Sequence, residues 1–359
     1  MALPTIPEYS ASIRSPQLIF PPILQGGHPI EKGSRLVMYA GGFCAVFPFE
    51  TSTGKYAVRC WHASVADSKL RLKTIAEAIK KIQLPYFVDF EYYERGISTN
   101  EGIQPVIVMD WVTADPLKKY LAENITNPQR IRTVAEYFKD MVARLHSVHF
   151  SHGDLQHGNI MVRDDGSLIL VDYDSMYVPG MEKYTDDVKG LAGYQHEARL
   201  RNKFLSEKAD YFSELVIYTS LITLAKIPDL WTSLKLEDSD TMIFSGEDIK
   251  SRGKAPIFTK LRNDNELKPL VDRLCDFMRR DSIEDLLPLE DVLTTQVDLI
   301  SDKWKGGNGC NRRHPGHIED PNQIVKQWKS GNGYNQHDSC KYKEENMADL
   351  IAKKFKKFK

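Results

Sequence analysis

The first third of the chain alternates short β-favouring apolar runs with one helical repeat. Residues 35–50 and 55–61 are apolar runs joined by the turn-forming segment TSTG, which predicts a β-hairpin. In residues 68–82, apolar side chains recur at i, i+3, i+4 and i+7, which predicts a helix. Two strand-like runs follow, the second at 105–112. These elements predict a small α+β lobe over residues 32–112.

From Pro116 onward the apolar positions take on helical spacing, as in Leu117, Tyr120 and Leu121. Residues 209–225 are apolar for most of their length, which predicts a buried helix. We therefore expect a second, mainly helical lobe over residues 113–300. A strand, a DDG turn and another strand interrupt its helices in the segment NIMVRDDGSLILVDYD.

The two ends of the chain differ from its middle. Residues 1–31 are rich in proline, which lacks the amide that a helix or a central strand needs, so they predict an extended arm. Residues 301–359 form a C-terminal extension in which WKGGNGCN and WKSGNGYN are near-copies. We expect their tryptophans to pack onto the main body, with a peptide or sugar platform as the alternative. The basic end KKFKKFK predicts a solvated tail, and contact with an anionic lipid or nucleic acid is the weaker alternative.

Composition narrows the class of protein. Hydrophobic residues make up 42% and charged residues 27% of the 359 residues, which is typical of a globular chain. The 48 basic residues balance the 49 acidic ones, so net charge gives no argument for binding nucleic acid or an anionic membrane. The sequence has no apolar run long enough for a membrane span. Five scattered cysteines do not suggest a disulfide framework, and a cytoplasmic location is expected.

Candidate chemistry lies in the segment HGDLQHGN, which contains Asp154 and Asn159, and in Asp172 thirteen residues later. Phosphoryl transfer needs hard oxygen ligands for Mg²⁺, a carboxylate near the acceptor hydroxyl and a cation on the nucleotide phosphates. In its residues and spacing, this set resembles the catalytic and metal-binding loops of the protein kinase fold, including its bacterial Ser/Thr kinase-like members. The resemblance implies that Asp154 accepts or orients the hydroxyl proton, that Asn159 and Asp172 bind Mg²⁺, and that His152 supports the loop.

Other segments extend the resemblance over roughly residues 32–298 and imply a bilobal α+β fold. GYQHE resembles the end of an activation segment, with Glu197 as its ion-pairing glutamate, and Asp210 of ADYFSEL would hold the catalytic-loop backbone. The backbone around Asp110 to Val112 would bind adenine, and Arg59 would contact the phosphates. The positions that the resemblance assigns to the nucleotide site are Gly41, Gly42, Val46, Ala57, Arg59, Met109, Asp110 and Val112.

The expected activity is transfer of the ATP γ-phosphoryl group to a Ser or Thr hydroxyl of a protein substrate, with ATP and Mg²⁺ as cofactors. HGDLQHGN also resembles small-molecule kinases of the aminoglycoside and choline phosphotransferase type, so a small-molecule acceptor is one alternative. A nucleotide-binding pseudokinase scaffold is the other. The intact set of Asp154, Asn159 and Asp172 argues against a scaffold, which has no chemical need for a base and metal ligands together.

The nucleotide site departs from the kinase pattern in two respects. Arg59 stands where a phosphate-pairing lysine is usual, and it keeps the charge but not the compact ammonium. Glu77 in the predicted helix is its best partner, and an exposed helix glutamate is the competing interpretation. Tyr39 and Cys44 stand where the glycine-rich loop often has glycine, so close approach of the backbone to phosphates is less assured.

The loops of the predicted C-terminal lobe also depart from the pattern. Gly153 replaces the usual arginine, so a phosphate on residues 172–197 would lack its cationic receptor, and activity should not need that switch. Asp174 stands where the metal loop usually has glycine. It either caps a turn, which we favour, or adds a carboxylate near the metal.

A zinc site is conceivable in the extension, because its histidines and cysteines have the spacings C-x3-H-x2-H and H-x2-C. The spacings are loose, and surface histidines with free thiols are the plainer interpretation. The residues concerned are Cys310, His314, His317, His337 and Cys340.

Overall fold

The computed structural model describes residues 3–63 and 68–294. The C-terminal extension, with its near-copied segments, its candidate zinc ligands and its basic tail, lies outside the described residues. The strands are β1 (His28–Pro29), β2 (Glu31–Lys32), β3 (Arg35–Leu36), β4 (Tyr39–Ala40), β5 (Cys44–Thr51), β6 (Gly54–Trp61), β7 (Phe90–Thr99), β8 (Gly102–Asp110), β9 (Asp115–Pro116), β10 (Ile160–Val162) and β11 (Leu168–Leu170). The helices are α1 (Ile6–Ser12), α2 (Ser68–Ile82), α3 (Leu117–Asn124), α4 (Pro128–Ser147), α5 (Tyr211–Lys226), α6 (Leu230–Ser233), α7 (Gly246–Lys250), α8 (Pro256–Arg262) and α9 (Leu267–Phe277).

The N-terminal lobe is built on an antiparallel sheet in the order β1-β5-β6-β8-β7, with β4 paired to β5. The predicted hairpin is present: β5 pairs with β6 from Cys44 opposite Trp61 to Thr51 opposite Gly54. Helix α2 has the bounds that the apolar spacing predicts, and it packs against β7. The lobe is therefore the predicted combination of strands and one main helix.

The N-terminal arm is not extended, which corrects the prediction from its prolines. Thr5 and Glu8 form a capping box at the start of α1, and Pro7 lies in the first turn, where no amide hydrogen bond is needed. The arm covers one face of the sheet, because buried Tyr9 and Leu24 pack in the same apolar cluster as the strand residue Phe47. It belongs to the core of the lobe.

The C-terminal lobe is helical, as predicted, and α5 lies at its centre. Every residue of α5 from Phe212 to Ala225 is buried, and the helix packs against α4 and α9. This explains why residues 209–225 are apolar on all sides rather than on one stripe. In the described residues, no helix combines the length and the apolar character that crossing a bilayer requires.

A small hairpin within the helical lobe carries the two candidate loops. Strands β10 and β11 are antiparallel, with Ile160 opposite Leu170. The start of one strand and the end of the other therefore lie side by side. Residues 152–159 lead into the first strand and Asp172 follows the second, so the hairpin brings these two segments to the same end.

Candidate active site

The backbone of the segment HGDLQHGN is held from below by Asp210. This buried carboxylate accepts hydrogen bonds from the amides of His152 and Gly153, the latter at 2.9 Å. His152 is fully buried, and its Nε2 donates to the carbonyl of Val171 at 2.9 Å, while its Nδ1 accepts from the amide of Asp154 at 3.3 Å. These contacts fix the backbone of the loop from His152 to Asp154.

The structure brings Asp154, Asn159 and the Asp172 segment together. Asn159 Nδ2 donates to the carbonyl of Asp154 at 2.9 Å and to its carboxylate Oδ2 at 3.0 Å. The amide of Val171 donates to the carbonyl of Asn159 at 3.0 Å, which ties the residue before Asp172 to the loop. Because the amide nitrogen of Asn159 faces Asp154, its amide oxygen is the atom that remains for a cation.

The environment of Asp154 suits a carboxylate that exchanges a proton near neutral pH. Burial raises the pKa of Asp154 to about 6, and the negative charge of Asp172 acts in the same direction. The charge of Arg199 and a hydrogen bond from the amide of Leu191 oppose that shift. A base works best when its pKa lies close to the working pH, so the position suits general base catalysis.

Asp172 has an unusual backbone conformation and an accessible side chain. Its φ of 69° lies in the left-handed region, which aspartate tolerates better than most residues and which is frequent at functional sites. The side chain is 45% exposed, and Oδ1 accepts a hydrogen bond from Arg59 Nη2 at 2.8 Å. One side of the carboxylate is therefore paired, and the other faces solvent.

Arg59 is buried and pairs with acidic residues of the second loop. Its Nη2 donates to Asp174 Oδ2 at 2.6 Å as well as to Asp172, and its Nε donates to Cys44 Sγ at 2.9 Å. Burial works against the charge, but the two carboxylates outweigh it and hold the pKa of Arg59 well above its ordinary value. No hydrogen bond of Arg59 Nη1 occurs in the described part of the chain, so this nitrogen is the donor left for a phosphate oxygen.

The predicted pairing of Arg59 with Glu77 is wrong. Glu77 is exposed on α2, whereas Arg59 finds its partners on the loop that follows β11. The same contacts correct the expectation for Asp174, which is buried against Arg59 instead of capping a turn. Burial raises the pKa of Asp174, and the charges of Arg59 and of the buried Arg71 on α2 oppose that shift.

The other predicted nucleotide positions lie along the strands beside Arg59. Gly41 and Gly42 form an exposed turn, in which the amide of Gly41 donates to the carbonyl of Cys44 at 2.9 Å. Trp111 directly follows the end of β8, and the centre of its ring lies 6.0 Å from the centre of the Tyr39 ring. The remaining predicted positions, in order along β5, β6, β8 and the segment after it, are Val46, Ala57, Met109, Asp110 and Val112.

Lys55 does not compensate for the missing lysine. It lies at the far end of β6 from Arg59, and its Nζ sits 4.2 Å above the centre of the Trp111 ring. A cation in this position stacks on an aromatic ring instead of reaching the site. Trp111 lies in the segment predicted to bind adenine, but no pattern in the sequence indicates this stacking.

A buried polar group that no sequence pattern indicates contacts the catalytic loop. Arg199 is 1% exposed, and it donates to both carboxylate oxygens of Asp186 and to the carbonyl of Gly153. The predicted Glu197 does form an ion pair, with Arg252 at 2.7 Å, but both side chains are about half exposed. Asp186 and Glu197 lie in a stretch without helical or strand periodicity. The sequence therefore does not indicate that Asp186 is the buried one of the two.

The glycine at 153 has a structural cause. Its φ is +77°, and a Cβ there would clash with the carbonyl oxygen of Ser175. An arginine at this position, as the kinase pattern usually has, would require the two loops to move apart. The guanidinium of Arg199 donates to the carbonyl of Gly153.

The oxygen donors fit a magnesium ion. Asn159 offers an amide oxygen and Asp172 an accessible carboxylate oxygen, which are hard ligands of the kind that Mg²⁺ takes together with substrate phosphates. Within residues 3–63 and 68–294, no group of three or more His, Cys, Asp or Glu side chains is arranged to hold a metal. Any magnesium here would thus depend on the nucleotide for further ligands.

Comparison with known proteins adds one finding. A family model described as the protein kinase domain matches residues 40–287, which is more than half of the chain. The match begins at β4 and ends before the described residues end. No curated protein matches the chain.

Proposed function

Because the chain belongs to the protein kinase family, we propose that it transfers the γ-phosphoryl group of ATP to a Ser or Thr hydroxyl of a protein substrate. The observation that carries this proposal is the bonding of Asn159 to Asp154, with the Asp172 segment tied to the same loop through Val171. It supports the assignment of a base and two oxygen donors to these adjoining loops.

In the proposed reaction, Asp154 orients the acceptor hydroxyl and takes its proton as the oxygen attacks the γ-phosphorus. Arg59 Nη1 donates to a phosphate oxygen and offsets charge on the nucleotide, while Asp174 and Asp172 keep the guanidinium in place. Asn159 and Asp172 would hold Mg²⁺, which neutralises phosphate charge when bound. The backbone from Asp110 to Val112 would bind adenine.

The first test is transfer from γ-labelled ATP in the presence of Mg²⁺. We expect label on Ser or Thr residues of protein substrates or of the chain itself, and none with Asp154→Asn. Asp164→Asn is the matched control, because Asp164 is an exposed turn residue in the neighbouring hairpin. Label found only on an aminoglycoside or choline would favour the small-molecule alternative and contradict the proposal.

The second test separates an inactive scaffold from an enzyme that lacks its acceptor. Nucleotide at 100 times its Kd should stabilise the folded chain by about 2.7 kcal/mol in thermal unfolding. Stabilisation without any Asp154-dependent transfer would favour the scaffold. If ATP with Mg²⁺ gives no stabilisation, the nucleotide site itself is wrong.

A further inference from the structure

Asp186 gathers two cations inside the helical lobe. Its Oδ2 and Oδ1 accept hydrogen bonds from Nε and Nη2 of Arg199, each at 3.1 Å, in the forked geometry that guanidinium and carboxylate favour. Lys189 Nζ donates to Asp186 Oδ2 at 3.1 Å and to the carbonyl of Asn202 at 2.6 Å. Asp186 and Arg199 are both buried, so this pair is well shielded from solvent.

Arg199 connects this pair to the catalytic loop. Its Nη1 donates to the carbonyl of Gly153, the residue before Asp154. The amide of Gly153 is already held by Asp210. Both polar backbone groups of Gly153 are therefore fixed, one by a carboxylate and the other by a guanidinium.

Arg199 also contacts Gln195, whose side chain lies near Asp154. Arg199 Nη1 also donates to Gln195 Oε1, which decides that the amide nitrogen faces the other way. A methyl group on Gly190 would lie 2.6 Å from Asp154 Oδ1 and 2.7 Å from Gln195 Nε2, so both atoms face the same small space. Buried Gln195 Nε2 has no hydrogen-bond partner in the part of the chain that the structure describes. Gln195 Nε2 thus lies near Asp154 Oδ1 without a hydrogen bond to it.

We infer that Asp186 and Arg199 form a built-in support for the catalytic loop. In this support, the Asp186 carboxylate is the anion that binds arginine, in place of a phosphate group on residues 172–197. Phosphorylation orders such a segment by giving nearby arginines an anion to bind. Here the sequence supplies that anion itself, and Arg199 joins it to the carbonyl of Gly153. The inference rests on the proposed function, and it makes Asp186 and Arg199 positioning residues.

The first experiment compares Asp186→Asn with its neighbour Asp187→Asn. Asp187 is exposed, and its carboxylate accepts a hydrogen bond from the hydroxyl of Thr185. Its variant is therefore the matched control. We expect Asp186→Asn to lower kcat about 10-fold or more, because small displacements of a catalytic group are costly. KM for ATP should not change, since neither residue contacts Arg59, Asn159 or Asp172. Equal kcat for the two variants would overturn the inference.

The second experiment removes the other partner of the pair. Arg199→Gln loses the forked contact with Asp186 and the hydrogen bond to the carbonyl of Gly153. We expect it to lower kcat about as much as Asp186→Asn while KM for ATP does not change. Arg199→Lys keeps the charge but not the forked geometry and should lower kcat less. A kcat in folded Arg199→Gln equal to that of wild type would contradict the support.

The third experiment tests independence from phosphate. Wild-type protein is treated with a phosphatase until its intact mass shows no phosphate, and we expect its transfer rate to be unchanged. Loss of the rate, with recovery on phosphorylation within residues 172–197, would overturn the inference.

Amide hydrogen exchange gives a measurement that does not depend on activity. Exchange over residues 172–197 should rise in Asp186→Asn and stay unchanged in Asp187→Asn. If wild type bound ATP but transferred nothing, the proposed function would fail, while this exchange result would still show whether the support exists. Should Asp186→Asn fail to fold, Asp186→Glu and Arg199→Lys take its place in the same measurement, and unchanged exchange in both would overturn the support.

Discussion

At the scale of single residues, Asp154 sets the pH dependence of the proposed transfer. Its carboxylate must be ionised to take a proton, and burial with the nearby Asp172 raises its pKa to about 6. We therefore expect kcat/KM to fall tenfold per pH unit below about pH 6 and to level off above it. The measurement is a pH profile of initial rates at constant ionic strength.

The neighbouring histidine provides a check on that assignment. Burial and the charge of Lys118 lower the pKa of His157 to about 4, so its titration falls well below the expected limb. His157→Gln should leave the limb near pH 6. A limb that disappears in this variant would assign it to the histidine and not to Asp154.

The pair of Arg59 and Asp174 leads to a prediction about stability and binding. Asp174→Asn leaves a buried guanidinium with one carboxylate fewer, and breaking a buried ion pair typically costs about 3 kcal/mol or more. We expect a drop of that order in the free energy of unfolding and weaker binding of ATP, both measured by thermal unfolding with and without nucleotide. Glu77→Gln is the control on α2, and it should change neither quantity because Glu77 is exposed. A comparable loss in Glu77→Gln would contradict the assignment of partners.

The sequence did contain a sign that Glu77 is not the partner. Glu77 follows buried Ile75 by two positions, which places it about 200° around the helix. Arg71 lies next to Leu72 on the buried side.

The spacing of Asp154, Asn159 and Asp172 was informative because these three lie in short loops on either side of one hairpin. The partner of Arg59 depends on how two lobes meet, which no local pattern records.

At the scale of secondary-structure elements, His146 joins α4 to α5 and to the end of the helical lobe. Its Nε2 lies 2.8 Å from Glu214 and its Nδ1 lies 2.9 Å from Glu290. Burial alone would lower the pKa of His146, but the two carboxylates raise it to about 10. Burial raises the pKa of Glu214, and the charge of His146 opposes that effect.

This contact predicts a loss of stability at alkaline pH. The folded-state pKa of His146 is above the value of about 6.5 in an unfolded chain, so its contribution is complete below pH 6.5 and is lost as pH rises towards 10. Between pH 6 and pH 10 we expect wild type to lose about 2 to 4 kcal/mol more than His146→Gln in denaturant unfolding. Identical pH dependence of the two proteins would show that the imidazole is not charged in the fold.

The elements show where sequence patterns succeed and where they fail. Helix α2 was predicted to the residue because its apolar face packs on one side of a sheet, which imposes the 3.6-residue period. Helix α1 was missed because proline was taken as a helix breaker throughout the arm. At Pro7 the ring lies in the first turn, where it costs nothing, and Thr5 caps the helix.

At the scale of the whole molecule, the N-terminal arm contributes to the stability of the lobe that it covers. Leu24 is 2% exposed against the sheet, while its neighbour Ile23 is 39% exposed. Leu24→Ala should lower the free energy of unfolding by about 2 to 5 kcal/mol, as is usual for buried leucine. Ile23→Ala is the matched control and should lower it much less. Equal effects in chemical denaturation would mean that the arm does not pack on the sheet.

The contacts of Asp186 with Arg199, and of Arg199 with the catalytic loop, depend on how the whole chain folds. This is why they could not be predicted from the sequence. Asp186 lies in the long irregular stretch between Asp172 and Glu197, where neither helical nor strand spacing indicates burial. Its partner Arg199 is thirteen residues away and meets it only after the segment folds back under Gly153. The absence of arginine at 153 was visible, but the position of its replacement was not.

The covered sheet face has a practical consequence for anyone who shortens this protein. A fragment begun at residue 40, where the family match starts, would keep every residue of the candidate active site. It would also lack Tyr9, Ile13 and Leu24, which cover the strands, and it would expose the apolar side chains of Phe47 and Phe49 to water. The shortened protein should self-associate through this exposed apolar surface. A lack of activity in an assay would then not test the chemistry of the site.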